Sequence, residues 1–220
     1  MKPLAIDLFC GLGDWTEGLL LEGYEVVGFD IWRHDYGDGM RYPAQLVLQD
    51  VATMIGKQFK DAALIVASPP CQAYSYRAMP WKRAKALPPP SNELFDACFR
   101  IQREAIEAAG RFIPIVVENV RGAQPWVGRS RWNFGSFHLW GDVPALMPIA
   151  KGAIKVGVAE NDGTKCGGDW FGGEPGDRSL MRNHSSKSNA RKAASAAIAK
   201  IPLPLSQHIA RYWYPREAVA

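Results

Sequence analysis

The chain has 220 residues, 47% of them hydrophobic and 22% charged, the balance of a single globular domain with a substantial core. No apolar run approaches the roughly 18 residues of a membrane span, and the N-terminus carries one lysine and then a strand-like segment rather than a signal peptide, so a cytoplasmic protein is expected. A formal charge of +4 is mildly basic, compatible with a nucleic-acid partner without requiring one.

Residues 4–9 read as a first strand, turned by Gly11 and Gly13. Asp14 suits a helix N-cap with Glu17 three residues on, and the helix stops at Gly23. Residues 24–29 form a strand closed by Asp30, and 45–49 a weaker one closed by Asp50, followed by a short helix near 52–59. The apolar run 62–67 is a buried strand that Pro69 and Pro70 must end, since neither can continue a ladder. Ser91 caps a helix whose apolar face carries Leu94, Phe95, Cys98, Ile101, Ala105, Ile106 and Ala109 and which Gly110 ends. Residues 113–117 are another buried strand, closed by Glu118, and 136–140 a later one. Strands alternating with helices, with acids at strand ends, give an α/β class.

From 151 to 188 glycines interrupt any period, so loop is expected there. Residues 190–199 and 205–213 read as helices around an Ile-Pro-Leu-Pro break, and between Arg178 and Lys200 there are six basic residues and no acidic one. The domain reading is 1–150 for catalysis and cofactor binding, 151–188 as a short glycine-rich recognition region, and 189–220 as C-terminal helices returning to the first part.

Cys71 follows the strand 62–67 at its carboxyl end, where open α/β sheets place their ligands. A thiol fixed there is a nucleophile candidate or, more simply, a small hydrophobe in a turn. The four cysteines, Cys10, Cys71, Cys98 and Cys166, lie far apart without a Cys-x-x-Cys pair, which argues against zinc and disulfides. A zinc deaminase would need a second cysteine at 74, which is tyrosine.

Three stretches decide between these readings. Asp7-Leu8-Phe9-Cys10-Gly11-Leu12-Gly13, Pro70-Cys71-Gln72 and Glu118-Asn119-Val120 stand in the order of three motifs of the DNA cytosine carbon-5 methyltransferases. The chain resembles that family over roughly residues 2–148 plus a C-terminal tail, and is similar to a compact phage or prophage member with a minimal recognition region. The resemblance implies a Rossmann-like S-adenosylmethionine-dependent methyltransferase fold: a mostly parallel twisted sheet with helices on both faces. It implies that Phe9 lies against the adenine, Asp30 binds the ribose, Asp50 binds the adenine amino group, and Gly11 and Gly13 make room for the methionine part. Ile31, Val51 and Pro70 would line the pocket.

On the same resemblance Cys71 would add to carbon 6 of cytosine in DNA, with Glu118 bonding the ring's far edge. Arg129 and Arg131 match the end of a Gln-x-Arg-x-Arg motif that helps hold the adduct; its glutamine position is Val127. The basic, aromatic stretch with Arg77, Lys82, Arg83 and Lys85 resembles the mobile loop that closes over a flipped cytosine, with those side chains on phosphates. A solvated surface loop is the simpler reading. Asp14 stands where the family has glycine, and Ala199 where the last motif is preceded by asparagine. Two alternatives remain open: the same chemistry on RNA such as tRNA, and an inactive relative that binds nucleic acid or a partner. The short 151–188 region implies low or short sequence specificity, or a protein partner that selects the target.

Overall fold

The structure, a computed structural model, describes residues 1–36, 41–75, 88–148 and 199–215, together with 188, 189, 192 and 196. Seven strands form one sheet: β1 (Leu4–Leu8), β2 (Glu25–Asp30), β3 (Gln45–Leu48), β4 (Ala62–Ala67), β5 (Ile115–Asn119), β6 (Trp132–Phe134) and β7 (Phe137–Gly141). Their order is β3-β2-β1-β4-β5-β7-β6. The first five run parallel, while β7 is antiparallel to β5 and β6 to β7. This is the Rossmann-like arrangement expected, with the strand order reversing between β1 and β4.

The central strands are continuously apolar because both of their faces are covered. Along β4 the side chains alternate between two layers: Ile65 and Ala67 join one, Leu64 and Val66 the other. The first layer packs under α2 (Glu93–Ala109) through Phe95, Cys98, Ile101 and Ala105. The second packs under α1 (Asp14–Leu21) and α4 (Leu203–Trp213), the short α3 being Gln124–Val127, through Trp15, Leu19, Leu205, Ile209 and Ala210. A side chain at Gly18 would collide with Ser206, so glycine there sets how closely α1 and α4 approach. Arg211 and Gln207 of α4 reach Glu22 at the end of α1, at 2.8 and 3.0 Å.

Several local expectations need correction. Asp14 is not an N-cap: Gly13, left-handed at φ 92°, caps α1 without a side-chain bond, and Asp14 is the first helical residue. The two acids serve the tail instead, since Glu17 pairs with Lys200 at 2.7 Å and Asp14 accepts from the Ile201 backbone. Ser91 also sits one residue early. Asn92 is the cap position of α2, while the Ser91 hydroxyl accepts from the Glu93 N–H at 3.2 Å. The helix expected near 52–59 is two single 3-10 turns, Val51–Thr53 and Gly56–Phe59. The strand expected over 113–117 runs Ile115–Asn119 and so includes Glu118, and β6 had no sequence signal of its own. The region 151–187 and most of 190–199 lie outside the described residues. No helix among the described residues is long and apolar enough to cross a membrane.

Candidate active site

The carboxyl ends of β1 and β4 flank the point where strand order reverses, so the turn after each opens on one crevice. Phe9, after β1, is left-handed at φ 57°, a backbone a non-glycine residue adopts only when its surroundings impose it. Gly11 is left-handed too, and a side chain there would meet nothing within 4 Å, so the turn faces open space at that position. Gly13 has a different reason to be glycine: a Cβ would press on Pro43 and Tyr42.

Asp30, at the end of β2, points back at this turn. Its Oδ2 accepts the Gly11 N–H at 3.0 Å and lies 3.3 Å from His34 Nε2, and its Oδ1 accepts the Trp32 N–H at 3.2 Å. Burial alone would push this carboxyl up. Hydrogen bonds from His34 and from the Gly11 and Trp32 backbone outweigh that and hold it below the usual carboxylate range. Three of its roughly four acceptor sites are thereby used, which leaves an ionised acceptor with room for about one hydroxyl. Ile31, beside it, is exposed.

Beyond β1, a cleft of about 450 Å³ is walled by Asp50, Pro69, Pro70, Tyr74, Leu94 and Phe95 among others. It joins two of the expected pocket residues, Asp50 and Pro70. Asp50 is exposed and caps the 3-10 turn after β3, its Oδ1 accepting from Ala52 N–H at 2.9 Å. Val51 is buried in the core layer under α2. Phe9, Gly11, Asp30 and Ile31 do not line that cleft; on their side of the site, a fixed ionised acceptor and the open backbone at Gly11 suit a ribose hydroxyl.

The second half of the site is Cys71. The turn it begins is closed by Tyr74 N–H and Ser75 N–H donating to Cys71 O at 2.9 and 3.0 Å. The residue is half-buried, whereas Cys10 and Cys98 are buried with thiols pushed far up by burial. The turn is tied down on every side. Trp15 Nε1 donates to Ser68 Oγ at 3.0 Å, and Tyr74 hydroxyl donates to Asn92 Oδ1 at 2.9 Å. From β5, Asn119 Nδ2 donates to Pro69 O at 2.9 Å, while Asn119 Oδ1 accepts the Val120 N–H at 2.8 Å. A side chain on Gly122 would strike the Tyr74 carbonyl. Since Ala67 and Val117 are register partners on adjacent parallel strands about 4.8 Å apart, the chain leaves β4 at Ser68 beside Glu118 and Asn119, the last two residues of β5. Glu118 is half-buried.

Arg131 reaches the same rung from the other side. Its N–H donates to Leu139 O at 2.8 Å, and Leu139 is the register partner of Glu118. Arg129 and Arg131 are both exposed, and Ser130 between them bonds His138 Nδ1 at 2.9 Å. Arg77, Lys82, Arg83 and Lys85 lie outside the described residues.

The C-5 cytosine-specific DNA methylase family model matches residues 4–124, more than half of the chain. The chain belongs to that family. Its members are S-adenosylmethionine-dependent methyltransferases of cytosine carbon 5. Among solved structures, a DNA modification methyltransferase encoded within an Escherichia coli prophage is 20% identical, at TM-score 0.37, over 58% of this chain and 35% of its own. The Entamoeba histolytica methyltransferase EhMeth is 17% identical, at TM-score 0.41, over 58% and 41%. The Schizosaccharomyces pombe Dnmt2 methyltransferase is 19% identical, at TM-score 0.39, over 56% and 35%. This methylase-family chain thus matches well under half the length of those structures. No curated protein matches it.

Sequence reasoning took Asn119 only as a letter of a motif. Its position on a strand whose neighbours Val117 and Val116 are fully buried was the available signal that its amide must be satisfied inside. Asp7 was missed in the same way. It is buried, its Oδ2 accepts from Thr16 at 2.7 Å, and burial pushes its carboxyl up to about 8.

Proposed function

We propose that this protein methylates carbon 5 of cytosine in DNA through a transient bond between Cys71 and the base. What carries the reading is the clamp from Asn119 to Pro69, which holds the thiol-bearing turn against the strand end that bears Glu118. Cys71 sulfur, as thiolate, adds to carbon 6, and the electron pair freed from the 5,6 double bond makes carbon 5 nucleophilic. Glu118 bonds ring nitrogen 3 and the amino group, stabilising that adduct as charge shifts toward nitrogen. S-adenosylmethionine, when bound, supplies the methyl group as an electrophile. Loss of the carbon-5 proton and expulsion of Cys71 then restore the ring. Asp30, Asp50, Phe9, Gly11, Gly13, Ile31, Val51 and Pro70 would hold the cofactor, and Arg131 with Arg129 the base or its phosphates.

Residues 1–150 carry this chemistry, 151–188 meet the target and 189–220 brace α1. The target cytosine must leave its stack, at a cost of a few kcal/mol in a duplex. The test offers the protein a DNA duplex containing 5-fluorocytosine together with S-adenosylmethionine. A covalent adduct is expected with the native chain and none with Cys71→Ala. Adduct on a matched RNA and not on DNA would transfer the same chemistry to RNA, and adduct on neither would refute the enzyme reading.

A further inference from the structure

The β6–β7 hairpin enters the sheet through a bulge. Arg131 N–H donates to Leu139 O, yet the register partner of Leu139 is Trp132, so two residues stand against one. Leu139 is in turn opposite Glu118. Residues directly opposed in an antiparallel pair share a face, so Glu118, Leu139 and Trp132 form one rung on one side of the sheet. Packing agrees: Val116, Leu139 and Phe134, which lie on that face at alternate positions, all belong to the layer under α1 and α4. Leu139 is fully buried, whereas Trp132 is 37% exposed. At about 4.8 Å per strand its backbone stands about 10 Å from that of Glu118, a gap an indole largely spans.

Trp132 belongs to neither core layer, unlike Phe134 and Leu139. Its setting is cationic as well: residues 119–141 contain Arg121, Arg129 and Arg131 and no carboxylate, and all three arginines are exposed. Exposed aromatic rings among arginines suit unpaired nucleotides, because every base offers a face to stack on and every linkage a phosphate.

We propose that Trp132 is a stacking platform for the nucleotide next to the target cytosine, with Arg131 on the phosphate between them. This rests on the nucleic-acid reading above and specifies its substrate: a strand whose neighbouring base is free to unstack, so that unpaired or mismatched sites bind better than a perfect duplex. Trp132 is thereby a positioning residue.

The full chain is titrated with a single-stranded 12-mer holding one cytosine with 2-aminopurine immediately beside it, a probe whose fluorescence falls when it stacks on an indole. Quenching is expected with the native chain, in part with Trp132→Phe, and not with Trp132→Leu or Trp132→Ala. Affinity should drop roughly 5- to 100-fold when the ring is removed. Thermal melting checks that each variant folds, and Phe against Leu decides the matter if Ala does not. Undiminished quenching in Trp132→Leu, or loss that follows Trp126→Ala instead (Trp126, in the same arginine-bearing stretch, is 38% exposed), overturns the proposal. If the native chain forms the 5-fluorocytosine adduct while quenching ignores Trp132, the stacking idea alone is wrong. If quenching needs Trp132 yet no adduct forms on DNA or RNA, stacking stands and the catalytic reading falls.

Discussion

Replacing Asn119 tests the contact that brings the two halves of the site together. The side chain is fully buried and makes two bonds, donating to Pro69 O and accepting from Val120 N–H. Asn119→Ala strands both partners, at about 1–3 kcal/mol each, so a loss of about 2–6 kcal/mol is expected in urea unfolding. Asn119→Asp separates the two bonds. The carboxylate still accepts from Val120 but opposes the Pro69 oxygen with a lone pair, whereas the protonated acid can donate to it. The neutral form is therefore favoured in the folded state and the acid's folded pKa is raised. Its stabilising contribution is complete below the unfolded value near 4 and is lost as pH rises through the folded pKa. Asn119→Asp should thus approach native stability at low pH relative to Asn119→Ala and fall toward it near neutrality. Because the turn bearing Cys71 is released at one anchor, adduct formation on a 5-fluorocytosine duplex should slow by roughly 100-fold, the effect of about 1 Å of misplacement. Urea midpoints of Asn119→Ala within about 0.5 kcal/mol of native, or a pH-flat difference between the two variants, would refute the clamp.

Burial raises the Asp7 carboxyl to about 8 against 3.8 outside the fold, so its penalty builds as pH rises from about 4 to about 8 and amounts to about 6 kcal/mol. Asp7→Asn should flatten stability across that window, as thermal melts from pH 4 to 9 would read out. Asp30 behaves oppositely: its lowered pKa keeps it ionised, so S-adenosylmethionine binding by calorimetry should persist through the usual carboxylate range and weaken only as pH falls through the folded value below it. Asp30→Asn should weaken that binding at all pH values. Gly122→Ala would push its methyl into the Tyr74 carbonyl and displace the Cys71 turn, so adduct yield should fall at least tenfold while unfolding changes by about 1–3 kcal/mol. Sequencing of methylated DNA should give a short, loose target motif, and a long strict motif from this protein alone would contradict the small recognition region.

The parallel strands were legible because burial on both faces makes them continuous apolar runs, and 62–67 matched β4 to the residue. Gly110 was legible as a helix stop for a local reason, its left-handed φ of 63°. Caps were misassigned where a partner distant in sequence won. Glu17 turns to Lys200, and Asn92 turns to Tyr74 and to the Trp126 carbonyl, so local capping rules lost to tertiary bonds. The hairpin strand β6 was illegible because Trp132 and Asn133 are exposed and only Phe134 is buried, which leaves no period to read.

The order of residues along the chain fixes which side chains stand at strand ends: the Cys71 thiol, the Glu118 carboxylate, and Asp30 and Asp50, because short apolar runs stopped by proline, glycine or acid fix where each strand stops. Which of those ends become neighbours is settled by the fold. Register across β4, β5, β7 and β6 is set by long-range pairing, and that pairing brings Glu118, Arg131 and Trp132 to the end of the sheet where β4 runs out toward Cys71.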